Sequence, residues 1–190
     1  MRLGFDIGTT PDKWARAWRG RRREPLELVP VDSAIAADGG LRDGSLDMCV
    51  VRLPLPSTAG LHLVRLYDEV PVVVVPRDHF VTAAETVTTA DLVDEQVVLP
   101  HPSGWTPAAA QLAWPEMSWR EAIEVVASGG GVAIVPMPVA RLYARKDVAS
   151  RPVSDLDPTT VALAWLVERD DEATQAFVGV VKGRTANSSR

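Results

Sequence analysis

A chain of 190 residues is long enough for one generous domain or two small lobes, and 46% hydrophobic with 24% charged residues is the mix of a packed globular protein. The formal net charge of −5 excludes a protein whose whole surface is built for a polyanion. A single cysteine, Cys49, rules out an intrachain disulfide and suits a reducing, cytoplasmic setting, while no apolar run approaches the roughly 20 residues of a membrane span.

Residues 2–7 read as a short strand closed by Gly8, after which Thr9, Thr10, Pro11 and Asp12 supply a cap hydroxyl, an early proline and an acid for a helix over 11–22. That helix ends in Arg19, Arg21, Arg22 and Arg23, complementing its dipole, and Pro25 stops it. Trp14 and Trp18 lie one turn apart and are assigned to the core in preference to a dimer seam. A strand at 26–31, a helix at 32–44 thinned by Gly39 and Gly40, and a strand at 48–51 follow, with Cys49 acting as a small buried hydrophobe.

Strands at 61–66 and 70–75 precede a helical turn at 88–94, capped by Thr88 or Thr89, and a strand at 96–99. Residues 100–115 have no clean period and read as a functional loop with one helical turn. The clearest helix is 118–128, where Ser118 and Glu121 are spaced as a capping box and Trp119, Ala122, Ile123 and Val126 form an apolar stripe. Gly129, Gly130 and Gly131 end it. A strand at 132–135, a helical turn at 139–143, a strand at 161–167, a helix at 172–182 and a frayed tail at 185–190 complete the chain. Short apolar strands alternating with amphipathic helices specify an α/β fold with a parallel sheet buried on both faces.

In open α/β sheets a ligand lies beyond the C-terminal ends of the strands, where helix N-termini point N–H groups outward. Gly8, Thr9 and Thr10 occupy that place after the first strand, Arg52 and Leu53 after the third, His101 and Ser103 after 96–99, and Met137 after 132–135. Trp105 offers an aromatic wall with one N–H donor. Arg52 with the Thr9 and Thr10 hydroxyls suits a small organic acid. The alternatives are an ion pair of Arg52 with Asp47 or Asp68, and plain helix capping by the two threonines.

His62, His79 and His101 are the only imidazoles, and His101 with Ser103 is the nearest approach to a catalytic pair. No HExxH, GxxxxGK or GxGxxG motif occurs, so neither a metal nor a nucleotide cofactor is implied. The basic run RGRRRE at 19–24 points toward DNA or another acidic partner, but reads first as a solvated helix end.

Several segments carry a resemblance in their order: the opening strand with its Gly-Thr-Thr turn, PLELVPVD, LRDGSLDMCVVRLP, LYDEVPVVVVPRDHF, TTADLVDEQVVLP, EAIEVVASGGG into VAIVP, and VALAWLVERDDEATQAFVGVVK. Together they resemble the effector-binding (substrate-binding) domain of LysR-type transcription regulators. The resemblance implies a two-lobed fold like a type 2 periplasmic binding protein, with a ligand cleft between lobes. Lobe I takes residues 1–69 plus about 168–190, and lobe II takes 70–167. It implies a small organic acid effector, a homodimer or partner regulator, no cofactor and no catalysis. The alternative is a bilobal-fold enzyme, dehydratase-like or menaquinone-pathway-like. Full-length members of the family place a winged helix-turn-helix before this domain. Here Met1 precedes the first strand directly, so the expectation is a stand-alone domain without direct sequence-specific DNA binding, acting on transcription through a partner. Residues 104–115 are shorter than the family's helical segment there.

Overall fold

The computed structural model describes residues 1–183, and these divide into two units: Met1–Tyr67 with the chain from Thr160 onward, and Asp68–Thr159. The first unit holds strands β1 (Arg2–Asp6), β2 (Glu27–Val31) and β3 (Met48–Arg52), with helices α1 (Asp12–Arg21) and α2 (Ala34–Arg42). Strand β4 (Leu61–Glu69) leads the chain out, and β8 (Thr159–Leu166) brings it back before helix α5 (Glu172–Val181). The sheet order is β2-β1-β3-β8-β4, with β1 parallel to β2 and to β3.

β8 pairs antiparallel with β3, Cys49 opposite Ala164 and Arg52 opposite Val161. This corrects two expectations. The sheet is mixed, because the chain returns to it from the second unit instead of through a crossover helix. Residues 160–166 also belong with the first unit's sheet, not with the second lobe, since β3 supplies their hydrogen-bonding partner.

Side chains alternate across a strand, and in β3 both faces are apolar. Met48 and Val50 join a cluster with Leu3, Leu163 and Phe177, while Cys49 and Val51 join another with Leu41, Leu46 and Ala162. Trp14 and Trp18 take the core positions assigned to them, and Trp18 meets Phe177 edge to face at 5.6 Å between centroids. The indole N–H of Trp18 donates to the Glu24 carbonyl at 3.0 Å, so the ring is buried without orphaning its polar atom.

The second unit contains β5 (Pro71–Pro76), β6 (Ala133–Pro136) and β7 (Val148–Pro152), with helices α3 (Trp119–Ala127) and α4 (Met137–Leu142) and short 3-10 turns at Phe80–Ala83 and Thr89–Leu92. Its sheet order is β6-β5-β7, antiparallel throughout. Val72 and Val74 face one apolar cluster, Val73 and Val75 the other, so this sheet too is covered on both faces. The parallel arrangement expected for it is therefore absent.

Residues 96–99 form no strand: they make one isolated parallel bridge, Val97 to Val132, in which the Val132 N–H donates to the Gln96 carbonyl at 2.8 Å and the Val98 N–H to the Val132 carbonyl at 2.9 Å. Pro100 has no N–H to donate the next bond, while the Val97 N–H, on the side away from Val132, is taken by the Gln111 side-chain oxygen at 2.8 Å. Residues 100–115 contain no helical turn. The capping box of α3 is present as spaced. The Glu121 N–H donates to Ser118 Oγ at 3.3 Å, and Glu121 Oε2 accepts from the Ser118 N–H at 2.7 Å. α1 departs from expectation, since its cap residue is Pro11 and no side chain caps it. The tail at 185–190 lies outside the described residues, among which no helix is long and apolar enough to cross a membrane.

Candidate functional site

The first group of candidate residues is built where β1 and β3 end side by side. Asp6, the last residue of β1, is 6% exposed, and its Oδ2 accepts the Arg52 backbone N–H at 2.8 Å. Gly8 turns the chain with φ +92°, a conformation that favours glycine, and so admits the tight Gly-Thr-Thr turn. Arg52, the last residue of β3, is 7% exposed, and its Nη1 donates to the Ile7 carbonyl at 2.8 Å. The ends of the two strands and the turn after β1 are thereby tied together, with a guanidinium fixed at the tie.

Thr9 and Thr10 separate in role. The Thr9 hydroxyl donates to the Asp6 carbonyl at 2.7 Å and the residue is 5% exposed, so it closes the turn instead of capping α1 or presenting its proton outward. Thr10 is exposed. The Leu53 N–H donates to the Thr160 carbonyl at 2.9 Å, extending the β3–β8 pairing by one residue. Asp47, one alternative partner for Arg52, sits at the opposite end of β3, accepting the Arg2 N–H at 2.7 Å and pairing with Arg169 at 3.4 Å. Sequence reasoning passed over Asp6 as a site residue, although it gives the same signal as Arg52: a charged side chain closing an apolar strand.

In the second unit His101, Ser103 and Trp105 form one local constellation. The His101 Nδ1 and Ser103 Oγ lie 2.7 Å apart, the Ser103 N–H donates to the same Nδ1 at 3.3 Å, and Ser103 Oγ accepts the Trp105 N–H at 3.2 Å. Nδ1 is therefore the acceptor, which places the proton of the neutral ring on Nε2. Burial holds the His101 pKa below its ordinary value. Trp105 packs half-buried against the cluster of Val73, Val75 and Leu92, whereas Met137 packs against Val72 and Val74. The two lie on opposite faces of the β6-β5-β7 sheet, so this unit does not bring Met137 to Trp105.

Two glutamines fasten the loop that carries these residues. Gln96 donates to the Ala110 carbonyl at 2.8 Å and accepts the Leu112 N–H at 2.9 Å, while Gln111 donates to the Glu95 carbonyl at 2.9 Å. With the Val97 contact, side-chain amides replace a backbone ladder between the two segments. The Ser–His pair is a feature of this turn, with donor and acceptor two residues apart. Among the described residues no group of three or more His, Cys, Asp or Glu is placed to hold a metal ion.

Two α/β units, the first interrupted by the second and each built on a sheet buried on both faces, define a periplasmic-binding-protein-like fold. A family model described as the LysR substrate binding domain matches residues 25–186, and the chain belongs to that family. Among solved structures, the chain is similar to the BenM effector binding domain with its effector benzoate, at 20% identity and a TM-score of 0.75 over 96% of this chain and 90% of that one. It is similar as well to the reduced form of the OxyR regulatory domain from Pseudomonas aeruginosa, at 23% identity and a TM-score of 0.71 over 96% and 95%. Full-length BenM matches at 19% identity and a TM-score of 0.73, over 97% of this chain and 69% of that one. These structural likenesses show a shared fold. No curated protein matches.

Proposed function

We propose that this LysR-type effector-binding domain takes a small organic anion, a carboxylate, at the β1–β3 end of its first unit, and acts on transcription through a homodimer or a partner regulator. One observation carries the reading: the guanidinium of Arg52 is anchored through Nη1 to the Ile7 carbonyl beside a turn that opens into α1 without a side-chain cap. An oriented guanidinium offers forked donors to a carboxylate, and an uncapped helix start adds outward N–H groups and positive potential. The BenM domain was solved with benzoate, a carboxylate, and this agrees with the chemistry. Thr10 is the exposed hydroxyl at the rim, and Thr9 supports the turn beneath it.

A bilobal-fold enzyme would need a base directed at its substrate, and the Nδ1 of His101 is directed into its own turn. No observation favours that reading over effector binding.

Thermal-shift measurements against a panel of small aliphatic and aromatic carboxylates test the proposal, because a ligand held by the native state raises its apparent stability, by about 2.7 kcal/mol at 100 times the Kd. At least one carboxylate raises the midpoint, and Arg52→Lys, which keeps the charge and loses the fork, weakens it roughly tenfold. A panel without any shift, or a ligand bound equally well by Arg52→Lys, overturns it.

A further inference from the structure

The cations of this chain are not evenly placed. Residues 12–24 carry six of them, Lys13, Arg16, Arg19, Arg21, Arg22 and Arg23, against Asp12 and Glu24, while the rest of the chain carries fourteen against twenty-three acids. The helix aims this charge outward. Trp14, Ala15 and Trp18 are buried, while Lys13, Arg16, Arg19 and Arg21 on α1, and Arg23 just beyond it, are exposed. Arg22 is engaged with Glu172 at 3.3 Å and Arg19 reaches the Leu26 carbonyl at 3.4 Å, but Arg16 and Arg23 have no hydrogen-bonding or ion-pairing partner among the described residues.

We propose that the exposed face of α1, with Arg23, is a docking surface for the phosphate backbone of duplex nucleic acid, read without regard to sequence. α1 is about 15 Å long at 1.5 Å per residue, and a duplex presents one negative charge per roughly 1.7 Å of axis, so several phosphates lie within reach of the patch at once. Five of the six cations are arginines, whose planar fork fits phosphate oxygens.

The patch also lacks what other acidic partners require. The large exposed apolar side chains include Ile35, Phe80, Leu112 and Leu142, and none of those identified lies within residues 12–24. Protein interfaces depend on such anchors, and membrane-bound helices insert them, whereas nucleic-acid interfaces are polar and strongly positive. The acidic remainder of the chain does not cancel a local patch, because charges separated by more than about 8 Å are screened at physiological salt.

The test is fluorescence anisotropy of labelled duplexes of two unrelated sequences, titrated with the full chain between about 20 and 200 mM salt. Both duplexes bind alike, and log K falls with log salt with a slope of about −0.9 for each phosphate contacted. Arg16→Glu with Arg23→Glu, two positions without ion-pair partners to lose, leaves the protein folded with a melting temperature lowered by no more than a few degrees through the helix dipole, and moves the slope toward zero by roughly 2. No binding at the lowest salt, an unchanged slope in the double variant, or tighter capture of a polyglutamate peptide than of duplex at equal salt overturns the proposal. The last result assigns the face to an acidic protein.

Discussion

A thiolate must be reachable and must be formed before it can react, and Cys49 meets neither condition. It is fully buried in β3, and burial, reinforced by the nearby charge of Asp6, pushes its pKa far above that of a free thiol. Iodoacetamide at about pH 8 leaves the native protein unlabelled and modifies it fully once denaturant has opened the first unit, as mass spectrometry will read. Labelling at the native rate of a free thiol contradicts the burial. The same strand shows how far single residues were legible. Arg52 stood out because a cation that ends an apolar run has to be satisfied somewhere, and Asp6 deserved equal notice. The fate of the Thr9 hydroxyl was not legible, since a carbonyl three residues back competes with any ligand and residue type does not reveal the winner.

Helix α3 illustrates an element whose sequence signals are all local. Its cap, its acid and its apolar stripe lie within nine consecutive residues, so 118–128 could be read directly. Ser118→Ala removes the hydroxyl that accepts the Glu121 N–H and donates to the Glu121 carboxylate, and costs about 1 kcal/mol of stability, measurable as a lower urea midpoint. The Ser118 backbone N–H first, and its hydroxyl second, hold the Glu121 carboxyl below its usual pKa, and the substitution removes the second of these. The carboxylate's contribution is complete above the unfolded value and disappears as the pH falls through the lower folded value. The Ser118→Ala protein therefore loses less stability on mild acidification than the wild type does. Strand β7 is the opposite case. Val148–Pro152 carries an arginine and ends in proline, with no apolar run to announce it, and it is a strand because β5 offers it an edge. The segment 96–99 looked like a better strand and is not one, because its ladder with Val132 stops at a single bridge, where Pro100 has no N–H to donate the next bond.

At the scale of the molecule, the family and the α/β class were legible because the order of many weak segments is specific. The direction of β8 was not, because orientation within a sheet is settled by a partner more than a hundred positions away. That pairing has a mechanical counterpart. Ending the chain after residue 158 removes β8 and α5, and with them Leu163, Trp165 and Phe177 from the cluster that holds Leu3 and Met48. The truncated protein is expected to expose that cluster, bind a hydrophobic dye and lose the near-ultraviolet signal of Trp14 and Trp18. A shortened chain that retains both the native spectrum and the native midpoint contradicts this role for β8.

The antiparallel β3–β8 seam also fixes an order of events during synthesis. The second unit is one continuous stretch, Asp68–Thr159, whereas the first needs both its opening segment and the chain from Thr160 onward. When residue 159 has left the ribosome, the later-encoded unit is complete and the earlier one still lacks β8 and α5. Nascent domains form when their last required strand emerges. The middle of this chain therefore matures before its beginning, and the unit carrying Arg52 is the last to close.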